Sequence, residues 1–401
     1  MNHIDLSEVF FISHTDADGY MSMVNMLDAI IGINNIEEER KTGKINSTKY
    51  NAISTLDDPS LFLNINYPLN FPIDKVPEGK IVFISDMSFT EEQYHNLKAI
   101  ADKSKYVVWT DHHKSSMWYI DYEGKESVEK IIPILFDGSS SSMTTHFMNN
   151  YFKVFMLTKI INRDIPYHCE DEITNDEWSN FIKNAFTRYM YNLYRKGSKQ
   201  SPESVLLKFI YDDFETLIYK NKEPKKDVYI KPYEFITLID DYDIWKHEFA
   251  DTLAFHYGLD MYNNSVYYSL LKQEYEEKDS IKLDIFDDGE VIKRYVNIQN
   301  DYLSNKQTFV KKFFYDEKHG MVDVLCCNSR GNSFVFGDKL SEYPFCLLYH
   351  YNGTEWKYSI YCHKKYLSQG YDASIIAKDF GGGGHAGASG FSSVQLISQL
   401  L

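Results

Sequence analysis

Three short apolar runs near the amino end, EVFFIS (Glu8–Ser13), KIVFIS (Lys80–Ser85) and YVVWT (Tyr106–Thr110), constrain this chain more than any other feature. They are separated by helical patterns: Tyr20–Ile31, with three methionines, and Thr90–Ala101, where Thr90 can cap the helix ahead of Glu92 and Gln93. Strands that alternate with helices predict a parallel α/β sheet. Such sheets bind their ligands just past the carboxyl ends of the strands. Each run ends at a polar cluster: HTDADG after the first, Asp86 after the second and Asp111-His112-His113 after the third. A fourth apolar run near residue 240, LIDDYDIWKH, ends in Asp240, Asp241 and Asp243.

The residue types in these clusters point to metal chemistry. In an extended segment alternate residues point the same way, so His14, Asp16 and Asp18 could aim one nitrogen and two carboxylates into one volume. Such donors suit Mn²⁺ or Mg²⁺ better than a structural zinc, which favours Cys and His. The competing reading is that Asp18-Gly19 supplies only turn chemistry. Asp86 taken alone could be a helix cap, whereas an Asp-His-His triplet at a strand end is less common. Together, four Asp-bearing clusters, two of them adding His and none adding Cys, match a pair of metals about 3.5–4 Å apart that share a bridging carboxylate. Asp86 is the natural bridge. Metals held there would lower the pKa of a bound water and neutralise charge on a phosphoryl group under in-line attack.

The middle of the chain reads as helical over 140–161, 176–196 and 202–219, with KNKEPKKD (Lys220–Asp227) as a charged loop. Asp288–Lys312 predicts a long polar connecting helix. From about His319 short β runs follow (MVDVLCC, SFVF, FCLLYHY, WKYSIYC), then a helical DASIIAKDF and GGGGHAGASGF (Gly381–Phe391). This is a second, smaller α/β domain. Successive glycines can expose backbone N–H groups to an anion, and His385 among them can donate to a phosphate.

Composition bounds the partners. The formal net charge of −16 argues against coating long nucleic acid, which needs a surplus of cations. It leaves room for short anionic substrates bridged by divalent cations. The five cysteines, Cys169, Cys326, Cys327, Cys346 and Cys362, form no C-x-x-C and predict small buried hydrophobes in a reducing compartment. With no signal-like amino terminus and no run of 18 apolar residues, the expectation is a cytoplasmic protein without membrane association.

With HTDADGY, ISDMSF, TDHHK and GGGGHAGASGF in that order, the chain resembles the DHH-family phosphoesterases with their associated C-terminal domain, and the resemblance runs from residue 14 to residue 391. It implies a parallel-sheet catalytic domain over 1–285 with a helical insertion near 150–231, a connecting helix over 286–318 and a substrate-binding domain over 319–401, with a cleft between the lobes. It implies two Mn²⁺ ions, with Mg²⁺ or Co²⁺ as substitutes. His14 and Asp16 would hold one metal and Asp18 and His112 the other; Asp86 would bridge them, and Asp243 or Asp241 would complete the shell. Asp86, His112 and His113 would form the catalytic set. His113 would contact the scissile phosphate, and His385, with Gly383 and Gly384, would bind substrate. Arg330 could contact phosphate from the second domain, although an exposed turn is the commoner explanation for such an arginine. The chain lacks an evident oligonucleotide-binding barrel, so it is most similar to the stand-alone nanoRNase branch. The implied activity is hydrolysis of short oligonucleotides or linear or cyclic dinucleotides to mononucleotides. Alternatives are a polyphosphate or pyrophosphate hydrolase and a catalytically silent nucleotide-binding module. RNA or DNA preference, digestion polarity and oligomeric state, a homodimer included, stay open. His146, His168, His247, His256 and His350 read as structural, and Trp109 and Trp245 as core.

Overall fold

The computed structural model describes residues 6–42, 58–66, 71–121, 130–135, 139–146, 148–149, 233–276 and 278–396. Most of the expected middle helices and the 150–231 insertion lie outside the described residues. The chain divides into two compact units, Met1–Glu290 and Val291–Leu401.

The first unit is built on a five-stranded sheet of order β2-β1-β3-β4-β5. The strands are β1 (Val9–Ser13), β2 (Phe62–Asn64), β3 (Ile81–Ser85), β4 (Tyr106–Asp111) and β5 (Ile131–Leu135), and every neighbouring pair is parallel. Their near-continuous apolar sequences follow from burial on both faces. Val9 and Phe11 of β1 pack into one core, with α1 (Ala17–Thr42), α3 (Glu234–Asp243), α4 (Thr252–Leu259) and α5 (Ser265–Tyr275). Phe10 and Ile12 point into the other, with α2 (Tyr94–Lys103) and Trp109. Thr90 begins the helical turn before α2, its N–H donating to Gln93 Oε1 at 3.1 Å. Helix α1 is buried all round over its first four turns, because a helical segment beginning at Ser141 packs against it: Asn25 Nδ2 donates to Ser142 O (2.9 Å) and Asn149 Nδ2 to Asp28 (2.7 Å).

In this order β1 and β3 sit side by side at the point where the chain reverses its direction across the sheet, the place where doubly wound sheets open a crevice. Backbone bonds extend the ladder past the strand ends: His14 N donates to Ser85 O (3.3 Å) and Asp86 N to Thr110 O (2.9 Å). Side chains from three strands are thereby held at one rim.

Helix α6 (Ser280–Lys306) starts and ends earlier than the polar pattern predicts. Phe309–Asp316, whose beginning falls inside the expected helix, is instead strand β6, because it pairs antiparallel with β7 (Gly320–Asn328), Phe309 opposite Cys326. Helices α4 and α6 cross at van der Waals range through glycines: a Cβ on Gly258 would sit 1.9 Å from Ile285 O, and one on Gly289 1.7 Å from Ala254 O.

The second unit is a six-stranded sheet of order β10-β11-β9-β8-β7-β6, with β8 (Phe345–Tyr351), β9 (Trp356–Tyr361), β10 (Gly383–Gly384) and β11 (Ala388–Ser393). Only β7 and β8 pair in parallel. One face packs on α8 (Ala373–Asp379), preceded by the single turn α7 (Lys364–Leu367). SFVF, expected as a strand, is the start of a 3-10 segment capped by Asn332, whose side chain accepts from Phe334 N. Cys326, Cys327, Cys346 and Cys362 are buried, and Cys169 lies outside the described residues. No helix among the described residues is long and apolar enough to cross a membrane.

Candidate metal centre

The side chains at the rim of the first unit converge. His14, Asp16 and Asp86 bring ligand atoms within 4.8 Å of one another, and so do Asp18, His112 and Asp243. Asp86 lies between the two groups: its Oδ2 is 3.6 Å from His14 Nδ1 and its Oδ1 3.2 Å from His112 Nε2. His112 Nε2 is also 3.1 Å from Asp243 Oδ2. Asp86 holds a left-handed backbone, φ 55°, a conformation that residues other than Gly adopt at some cost and that often marks functional positions.

Strand β1 ends at Ser13, and His14 and Asp16 reach the cluster from the bend that follows it rather than from extended backbone. Helix α1 begins at Ala17, so Asp18 belongs to its first turn and Gly19 to the helix rather than to a turn. Asp18 reaches the cluster nonetheless, its carboxylate accepting from Ser141 N (2.8 Å) and Ser142 N (2.7 Å) at the start of the next helical segment. Asp16 accepts from Gly19 N (2.9 Å) and from the His14 ring. Gly19 is obligatory, because a Cβ there would lie 2.4 Å from His14 O.

Of the two carboxylates the sequence offers at the fourth cluster, only Asp243 joins the centre. Asp241 is turned to the following loop, accepting from Glu248 N (2.9 Å), Phe249 N (3.3 Å) and the Thr252 hydroxyl. The helical period explains the split, since residues two apart on α3 face different ways. Asp240 accepts from Ser139 Oγ and Ser140 N, both at 2.7 Å. Helix α3 stops directly after Asp243, with Trp245 at φ 59° and 43% exposed rather than in the core. Trp109 is fully buried, its indole N–H donating to Met87 O.

The donor chemistry fits divalent cations. Both oxygens of Asp86, His112 Nε2 and Asp243 Oδ2 are buried without a hydrogen bond among the described residues; His112 Nε2 faces Asp86 Oδ1 and Asp243 Oδ2, and Asp86 Oδ2 faces His14. Polar atoms in that state are expensive unless something polar completes them. Charge leads to the same place. Burial, reinforced by the surrounding carboxylates, pushes Asp86 and Asp243 well above the usual carboxylate range. At His14, burial would lower the imidazole, but Asp16 and Asp86 outweigh it and hold the ring at about 10. A dication shared by these groups removes the repulsion and completes the bare oxygens and nitrogens together.

Asp111, part of the third cluster but not among the expected ligands, supports His113. It is buried, accepts from His113 Nδ1 (2.7 Å) and the Ser116 hydroxyl, and so orients His113. The Ser139–Ser142 run was missed as well; four small polar residues ahead of an apolar helix are a cap signal that could have revealed it. His256, read as structural, lines a pocket bordered by Asp16, Asp18 and Asp243.

In the second unit Arg330 is an exposed loop residue after β7. The glycine run forms a hairpin rather than a cradle of open N–H groups. Gly382 N donates to Ala377 O (2.8 Å), Gly381 N to Lys378 O (3.0 Å) and His385 N to Ala388 O (2.8 Å), while Gly383 and Gly384 pair with Gly390 and Ser389. A Cβ on Gly382 would lie 2.1 Å from Gly390 O, so close strand approach explains the glycine there. His385 itself is exposed.

No family model matches the chain. An uncharacterized protein, R106, of Acanthamoeba polyphaga mimivirus is 26% identical over 170 residues, 40% of this chain and 37% of that protein's length. Among solved structures, the chain is similar to RecJ from Thermus thermophilus in complex with Mn²⁺ (11% identity, 96% of this chain and 49% of RecJ, TM-score 0.43). It is also similar to the pGpG-specific phosphodiesterase PggH of Vibrio cholerae (11%, 96% and 93%, TM-score 0.33) and to an exopolyphosphatase-related protein from Bacteroides fragilis (12%, 98% and 88%, TM-score 0.37). Likenesses this distant leave the weight of any functional reading on the residues of the centre.

Proposed function

We propose that this chain is a DHH-type phosphoesterase that hydrolyses short oligonucleotides or dinucleotides with two Mn²⁺ ions, Mg²⁺ or Co²⁺ serving as substitutes. The observation that carries the reading is the meeting of Asp86, His112 and Asp243 atoms, buried and without hydrogen bonds among the described residues, where two three-residue donor groups adjoin. Asp86 would bridge the ions, with His14 and Asp16 on one side and Asp18, His112 and Asp243 on the other. The ions would supply a hydroxide nucleophile and charge neutralisation. His113, held by Asp111, would bind the phosphoryl oxygens, and the second unit's proposed contribution to substrate binding is His385 with Gly383, Gly384 and Arg330.

Product analysis with and without Mn²⁺ tests the reading on a 5′-phosphorylated dinucleotide, a longer oligomer, a cyclic dinucleotide and polyphosphate. Mononucleotide release from the dinucleotide, absent in Asp86→Ala, is the expected result. Cleavage of polyphosphate alone would move the chain to phosphoanhydride chemistry, and no metal-dependent cleavage of any substrate would refute the activity.

A further inference from the structure

The pocket beside the carboxylates holds chemistry that the proposed function does not use. Asp16, Asp18 and Asp243 border it, and Ala17, Leu238, Ile239, Tyr242, Phe255, His256 and Leu259 form the rest of its lining. Of those seven, only Tyr242 and His256 carry polar side-chain atoms. The His256 ring lies flat on Tyr242, centroids 3.4 Å apart and planes inclined by 14°. That stack fixes the imidazole against the Tyr242 ring, and no hydrogen bond to the imidazole occurs among the described residues.

Size and charge narrow the occupant. The space is about 60 Å³, room for roughly four to six water-sized groups. That suits a tetrahedral oxyanion of five heavy atoms, whereas ordinary small-molecule sites need about 300 Å³ or more. Two divalent cations would offset the charge of Asp16, Asp18, Asp86 and Asp243 and offer open coordination positions to an anion there. His113 stands elsewhere on the centre, on the Asp86 and Asp111 side.

Building on the metal-dependent reading, we propose that His256 is a substrate-contacting residue whose imidazole N–H donates to a non-bridging oxygen of a phosphoryl group bound over the Asp16–Asp243 side, with Tyr242 as the platform that holds the ring. It separates from a packing role through two variants. His256→Phe keeps an aromatic face on Tyr242 and removes the donor, and His256→Gln keeps an N–H donor of shorter reach.

Calorimetry with Mn²⁺, then with inorganic phosphate added to the Mn²⁺-loaded chain, reads the difference. His256→Phe should bind Mn²⁺ as wild type does and bind phosphate about tenfold or more weakly, the size of a hydrogen bond to a charged group. His256→Gln should recover most of the loss. Equal phosphate affinity in wild type and His256→Phe would overturn the inference and leave the metal reading standing. Loss of Mn²⁺ binding in His256→Phe would also overturn it, making His256 a support of the metal site. A wild-type chain that binds Mn²⁺ but no phosphate would refute the subsite alone, and one that binds no Mn²⁺ would refute both.

Discussion

Asp241 and Asp243 are two residues apart, and replacing each by Ala should have opposite consequences. The Asp241 carboxylate is almost fully buried and satisfies two backbone N–H groups, of Glu248 and Phe249, together with the buried Thr252 hydroxyl. Removing it strands three donors in the turn that joins α3 to α4. At roughly 1–2 kcal/mol for each stranded donor, and with some relaxation toward water, Asp241→Ala should cost about 3–5 kcal/mol, near the upper end for a single substitution. Asp243 has one bare buried oxygen facing His112 and no such loop to hold. Its loss should leave the fold intact and weaken or abolish Mn²⁺ binding. Urea unfolding followed by tryptophan fluorescence, paired with Mn²⁺ calorimetry, separates the effects. The reasoning is refuted if Asp241→Ala unfolds at the wild-type denaturant concentration while losing metal, since that would exchange the two roles.

Other substitutions probe the same construction. Asp86 and Asp243 have raised pKa values in the fold, so the buried charges cost stability above those values and the cost fades as pH falls through them toward the ordinary carboxylate value. Asp86→Asn should therefore raise the metal-free melting temperature at neutral pH while abolishing Mn²⁺ binding; a lowered one would contradict the electrostatic account. Asp111→Asn should reduce turnover about tenfold to a hundredfold with Mn²⁺ affinity little changed, because it replaces the charged acceptor that orients His113 by a neutral amide. Steady-state kinetics beside calorimetry would show that split. Gly258→Ala drives a methyl group into Ile285 O across the α4–α6 crossing and should destabilise by about 1–3 kcal/mol, read as a lower melting temperature. An unchanged one would mean that the crossing is looser than the geometry says.

Much of the fold was visible in local pattern. The apolar runs at 8–13, 80–85 and 106–110 became β1, β3 and β4, because strands buried on both faces must be apolar throughout. The positions of Asp86 and Asp111-His112-His113 followed, since a residue at a strand's carboxyl end has its rim set by the strand itself. Where local pattern misled, longer-range pairing decided. Phe309–Asp316 became a strand because β7 was there to pair with it, and the glycine run closed as a hairpin because Gly383 and Gly384 pair with β11 while the end of α8 takes the Gly381 and Gly382 N–H groups. Trp245 left the core because α3 ends at Asp243, which turns the chain outward.

Residue type and spacing by themselves placed His14, Asp86 and His112 just past the carboxyl ends of apolar strands. Only the tertiary structure decided between Asp241 and Asp243, gave Asp111 and Ser139–Ser142 their supporting tasks and set His256 beside the carboxylates. The physical reason is directional. Strand ends are placed by local periodicity, whereas the way a helical carboxylate or imidazole faces depends on how a helix more than 100 residues downstream rotates against the sheet.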